Sequence, residues 1–259
     1  MNAQNAQDTR NTREPEDRQP QTTLPALLLL ADGRFPSGGH AHSGGLEAAA
    51  ALDGVRDLAA LEEFLRGRLA TTGVVTAAFT AAACAAFGGT DRRGPDTDAA
   101  LEALETLETL DHEFAARTPS PALRTASRRL GRQLLRAART IWPHPRLDEL
   151  SAAPRHGPHQ PVALGAVAAA AGLGPDAAAL AAAHDAVLTP ATAAVRLLGL
   201  DPFAVHAAVA RLGPRIAAVA AEAADHAHTA PAALPSRAGP LLDIRAEHHA
   251  AWEVRLFAS

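Results

Sequence analysis

Lysine and tyrosine are absent from all 259 residues, and cysteine and methionine each occur once. Without lysine no Walker-type phosphate loop can be complete, and Schiff-base or pyridoxal-phosphate chemistry is excluded. With Cys84 alone, no internal disulfide and no multi-cysteine zinc site can form, and a cytoplasmic home fits this best. Aromatic residues make up 3% of the chain, so the core has to rest on Leu, Val and Ala. The net charge of −4 gives no support to a nucleic-acid partner. The longest run without charge, Leu69 to Thr90, is near membrane-spanning length, but its Ala, Thr and Gly gain little from lipid. It is expected to be a buried helix, with no membrane partner.

Also missing is any sustained period-two alternation, while Ala, the best helix former, dominates. The expectation is an all-α fold, one compact domain of about ten helices. Residues 1–23 are polar, carry both signs of charge and read as a disordered tail rather than a signal peptide. The helical body follows over 24–240. Helix starts are expected at Asp57, near Pro121, at Pro175 and at Asp201-Pro202. Gly73, Pro190 and Gly213-Pro214 should kink or divide helices, Gly88 to Asp98 should be an insertion-tolerant loop, and Trp142 to Pro161 should be a surface connection. Gly131 in mid-helix should mark the close approach of another helix.

What is present in abundance is glycine between Asp32 and Glu47: Gly33, Gly38, Gly39, Gly44 and Gly45. Such a stretch cannot be continuous helix or strand; it reads as a tight loop that launches a helix, with Ser43 as N-cap and Glu47 in the first turn. The loop is either a structural turn or a functional one. If its backbone needs φ > 0 at Gly38, Gly38→Val should disturb whatever the loop does.

Twelve histidines invite a metal reading. His40 and His42 would share a side of an extended segment, but no metal signature surrounds them, and they are the only weak candidates for a metal contact. No nucleophile, base and orienting group form a recognisable catalytic set, so no catalytic residue is assigned. A histidine-dependent metallohydrolase using His40, His42 and a carboxylate is the enzymatic alternative; a helical regulator of an unrelated pathway is the other.

The loop resembles a segment near the N-terminus of the urease accessory protein UreF family, D-x-x-[FL]-P-x-G-x-x-x-[HS]-S-x-G-L-E. Asp32, Phe35, Pro36, Gly38, His42, Ser43, Gly45, Leu46 and Glu47 match it. Further resemblances follow in order: Ala126-Ser127 with Gly131 and Leu134-Leu135, then His159 with Pro161-Val162 and Gly165. Ala193 to Leu197, which includes Arg196, is similar to A-A-V-R-L, and Pro240 to Ile244 with Arg255-Leu256-Phe257 to Ser259 is similar to P-L-x-D-I and R-L-F-x-S. The family often carries a tyrosine near the loop or before A-A-V-R-L; this chain has none, and His184 and Asp185 occupy the second neighbourhood.

The resemblance implies a helical, usually dimeric, non-catalytic urease maturation factor. Such a protein bridges UreD (also called UreH) and the GTPase UreG in the complex that delivers nickel to apo-urease. It needs no cofactor of its own, and nickel is handled by the complex. The partner-binding residues it implies are Asp32, Phe35, Pro36, Gly38, His42, Ser43, Glu47 and Arg196. In the C-terminal segment 241–259 they are Leu241, Asp243, Ile244, His248, Arg255, Leu256 and Phe257. That segment has more residues to order than large apolar groups to bury, so it is expected to fold only when a partner covers it.

Overall fold

A computed structural model describes residues 20–88, 97–152 and 157–259. The expected tail up to residue 19 and residues 89–96 of the expected loop Gly88 to Asp98 lie outside the described residues, while Gly88 closes one helix and Thr97 and Asp98 open the next. Among the described residues no strand occurs. Within them eleven α-helices form one compact domain, close to the expected ten: α1 Pro20–Ala31, α2 Leu46–Asp53, α3 Leu58–Arg68, α4 Val74–Gly88, α5 Thr97–Ala116, α6 Pro121–Ile141, α7 Pro145–Ala152, α8 Gln160–Ala170, α9 Pro175–Leu198, α10 Pro202–Ala224 and α11 Pro240–Ala250. α1 starts inside the expected tail, so residues 20–23 are helical rather than disordered.

α4 is the central rod, enclosed by α5, α8, α9 and α10. Ala77, Ala78, Phe79, Ala81, Ala83 and Cys84 are all buried, as expected for the uncharged run. Small side chains let its neighbours come close. A Cβ on Gly165 of α8 would lie 2.4 Å from the Thr80 carbonyl oxygen, so only glycine permits that approach. The roughly 1 kcal/mol that glycine costs in a helix is offset by this contact. Three helical spans are long and apolar enough to cross a membrane by length and composition: Leu58–Gly88, Pro175–Leu198 and Pro202–Ala224. The first two have 67% and 61% of their apolar window inside the fold and the third 28%.

Capping follows the sequence closely. Asp57 accepts from the Ala60 amide at 2.9 Å, Ser120 from Leu123 at 3.1 Å, and Asp201 from Phe203 and Ala204. Helix α2, however, begins at Leu46 with Gly45 at the N-cap (φ 87°), rather than at Ser43. Gly73 does not break its helix: α3 and α4 join through a π-helical turn, Leu69–Gly73. Trp142 to Pro161 is not merely a surface connection; it contains α7, whose Arg146, Leu147 and Leu150 are buried.

Gly131 does mark a close approach, but by the chain entering α8 rather than by a helix face. A Cβ there would lie 2.1 Å from the Pro158 carbonyl oxygen. The Gln160 amide donates to Ser127 Oγ (3.0 Å) and the His159 amide to Asp111 (2.6 Å), while Asp111 pairs with Arg128 at 2.9 Å. His159 is wholly buried beside Phe114, and neither ring nitrogen has a hydrogen-bond partner. Burial pulls its pKa down to about 4; Asp111 opposes that shift, and Arg128 and Arg124 add to it.

Pro190 and Pro214 lie inside α9 and α10 without dividing them. At Pro190 the physical reason is visible. Proline has no amide hydrogen, so the carbonyl four residues back, on buried Ala186, loses its helical donor. Arg68 Nε supplies one at 3.1 Å. Arg68→Met should therefore destabilise the protein by about 1–3 kcal/mol, the cost of a buried carbonyl without a donor. Pro190→Ala restores an amide there and should recover most of that loss in the double variant. Urea denaturation of the four proteins checks it, and equal losses for Arg68→Met in both backgrounds would refute it.

Candidate partner interface at the glycine loop and C-terminal tail

The loop turns on glycines in the left-handed region: Gly38 (φ 83°), Gly44 (φ 62°) and Gly45 (φ 87°). Its ends are fixed differently. Asp32 is folded back on Arg34, whose amide and guanidinium it accepts at 2.9 and 3.1 Å, an exposed pair that holds the carboxyl below its ordinary pKa. Phe35 is buried and stacks on Trp142 (centroids 5.9 Å apart), while Pro36 is exposed. At the other end His42, Ser43 and Glu47 turn inward, and all three meet the C-terminal tail.

Glu47, only 8% exposed, accepts three hydrogen bonds from the tail: His249 Nε2 at 2.8 Å, the Leu256 amide at 2.7 Å and the Phe257 amide at 3.0 Å. Burial alone would raise its pKa, but the Leu256 amide, His249 and the Phe257 amide together hold the carboxyl below its ordinary value. The amide and hydroxyl of Ser43 both donate to the main-chain oxygen of Ser259, at 2.6 and 2.8 Å. The same hydroxyl accepts from the Glu47 amide at 3.2 Å, so Ser43 does cap an amide of the α2 first turn. His42 Nδ1 and Ser259 Oγ share a hydrogen bond of 2.5 Å. The Ala258 amide adds a further bond to the Ala41 carbonyl. Arg196 joins both parts, donating to the His40 carbonyl at 3.4 Å with its guanidinium 5.1 Å from the Phe257 ring centroid.

The α11 part of the tail is also engaged. Asp243 accepts from the Ser120 amide at 3.2 Å, and Glu247 from Ser120 Oγ and the Ala122 amide (2.9 Å), so two carboxylates of α11 cap α6. Arg245 pairs with Asp53 at the end of α2. The tail is thus docked on its own body and does not wait for a partner to fold. Its outer side is a different matter: Leu241 is 60% exposed, Ile244 55% and Leu256 55%, with His248 and Arg255 exposed beside them.

The sequence-predicted residues therefore divide. Phe35, His42, Ser43, Glu47, Asp243 and Phe257 hold the protein together, whereas Pro36, Leu241, Ile244, His248, Arg255 and Leu256 are outward. Arg196 is exposed yet bridges loop and tail. His249, Glu247, Ser120 and Ser259 were not among the candidates. The four-residue step from Asp243 to Glu247 puts both on one helix face, but nothing in the sequence names Ser120 as their target. Among the described residues no group of three or more His, Cys, Asp or Glu could hold a metal. His40 is exposed, and buried His42 is committed to Ser259, so the pair has no shared ligand geometry.

Burial, with some help from Arg129, pulls the His42 pKa down to about 4. His42 and His159 are both neutral in the fold and ordinary histidines when unfolded. Their contribution is complete above about pH 6.5 and is lost as pH falls toward 4. The melting temperature should drop by roughly 5 °C between pH 7 and 5. His159→Phe, which cannot titrate, should flatten that fall; an unchanged slope would contradict it. A second expectation concerns Glu47→Ala. Trypsin should cut after Arg245 and Arg255 faster than in the parent while helical circular dichroism persists, because the tail loses its acceptor.

The UreF family matches residues 55–213, more than half of the chain. A urease accessory protein UreF of Mycolicibacterium vanbaalenii is 43% identical over 238 residues, covering 92% of this chain and the whole of that protein. Proteins of the same name from Mycobacterium marinum (44% over the same shares) and Mycobacterium tuberculosis (40%, covering 88% of this chain and 95% of the relative) are similar too.

Proposed function

The chain belongs to the UreF family of urease accessory proteins, and on that premise we propose that it serves urease maturation as a non-catalytic scaffold. It bridges UreD (UreH) and the GTPase UreG in the cytoplasmic complex that loads nickel into apo-urease, and it gates the partner's GTP hydrolysis. GTP chemistry belongs to UreG: a chain without lysine has no Walker loop. Nickel is cargo of the assembly, and this chain needs no cofactor. As its family implies, it works as a homodimer.

The observation that carries this reading is the two-sided tail. Its inner side is fully used within the molecule, while Leu241, Ile244 and Leu256 stay exposed. A surface that removes such side chains from water gains about 1.5–3 kcal/mol for each one fully buried. UreD is the partner assigned to that face. A metallohydrolase is disfavoured because His42 is occupied by Ser259.

The test is co-purification of the tagged chain with UreD and UreG of the same cell. Leu241→Asp with Ile244→Asp alters only exposed positions, so melting temperature and helicity should hold. UreD capture should fall at least 100-fold and urease activation with it. Undiminished capture by the folded double variant would overturn the assignment of this face.

A further inference from the structure

Beneath the glycine loop lies a cavity of about 290 Å³, whose charged lining residues are Arg68, Arg196, Asp32 and Asp185. We propose that this cavity binds a small organic carboxylate, its carboxyl group seated on the terminal nitrogens of Arg68 and its short apolar body among Leu30, Leu134, Leu164 and Leu188. Neither the family membership nor the scaffold role requires such a ligand.

The argument starts from charge. Arg68 Nε is committed to the Ala186 carbonyl, which leaves the two terminal nitrogens. No carboxylate among the described residues forms an ion pair with them; Asp185 acts on Arg68 only from a greater distance and is hydrogen-bonded to Thr189 at 2.7 Å. Arg68 is half-buried and burial disfavours its charge, so an anion that joins it restores part of what the cation loses on leaving water. The free end of a guanidinium presents two parallel N–H donors, the geometry that a carboxylate accepts in a bidentate pair.

The surroundings suit such a ligand. Arg68, Thr72 and Thr76 follow one another along the α3–α4 rod and all line the cavity; the Thr72 hydroxyl donates to the Arg68 carbonyl at 3.4 Å. The roof is the loop itself. A Cβ on Gly44 would come within 3.5 Å of Arg68 Cζ and 3.3 Å of Pro190 Cδ, so glycine lets the backbone lie directly over the cation. The rest of the wall is mixed, with Leu30, Leu134, Leu164 and Leu188 supplying apolar surface beside polar side chains such as His184 and Gln160. An apolar cavity with a few convergent polar groups is the usual form of a small-molecule site.

Titration calorimetry and amide spectra of the full chain test it, with acetate and butyrate as probes and phosphate and chloride at matched ionic strength as comparators. Expected are saturable shifts at Arg68, Thr72 and Thr76, with butyrate tighter than acetate. Asp185→Asn, which removes the nearby negative charge, should tighten binding by roughly fivefold. Arg68→Met in the Pro190→Ala background, where Ala186 keeps an amide donor, should fold and lose binding. Absence of saturation, equal shifts by chloride, a preference for phosphate over the carboxylates, or undiminished binding by that double variant would each overturn the proposal.

Discussion

The Glu47 carboxylate stands at the start of α2 and accepts hydrogen bonds from an imidazole and two amides more than two hundred residues further along the chain. A buried carboxylate is tolerable only when its oxygens are satisfied, and a chain end is ordered only when its backbone finds partners. Each requirement meets the other here. The tail in turn closes over His42 and Ser43, holds Arg196 against Phe257, and caps α6 through Asp243 and Glu247. The glycine loop, the tail and the end of α9 therefore form one hydrogen-bonded unit.

That unit explains how a terminal segment can be docked and still offer a surface. Residues 243, 247, 249 and 257 are hydrogen-bonded to the body, whereas those at 241, 244, 248 and 256 stay exposed. The internal bonds fix the helix in place through its polar groups, which leaves the apolar side chains of the other face exposed. A preformed face spares a partner most of the ordering entropy that a disordered tail would cost it on binding.

Proline within α9 is a second constraint met across the fold. The carbonyl that Pro190 deprives of its donor is served by Arg68 from α3, and the loop backbone passes close to the same guanidinium at Gly44. Because Arg is the only strongly basic side chain in this protein, one residue type both caps buried carbonyls and carries charge into the interior.

Helix content, most helix starts and the central buried rod were legible from the sequence, because Ala-rich periodicity and capping residues act over a few neighbouring positions. Gly131 and the glycines of the loop were likewise readable as places of close approach or unusual backbone. The family landmarks marked out the stretches that form the loop–tail unit. Tertiary structure decided what these residues do. Whether Pro190 breaks its helix depends on Arg68, over a hundred positions away, and whether the tail is loose depends on Glu47. The inward or outward facing of Asp243 and Ile244 depends on where Ser120 lies. Local sequence sets backbone preference within a turn or two, whereas a buried polar group is satisfied by whichever partner the fold brings within about 3 Å, and that distance in space is not written in the distance along the chain.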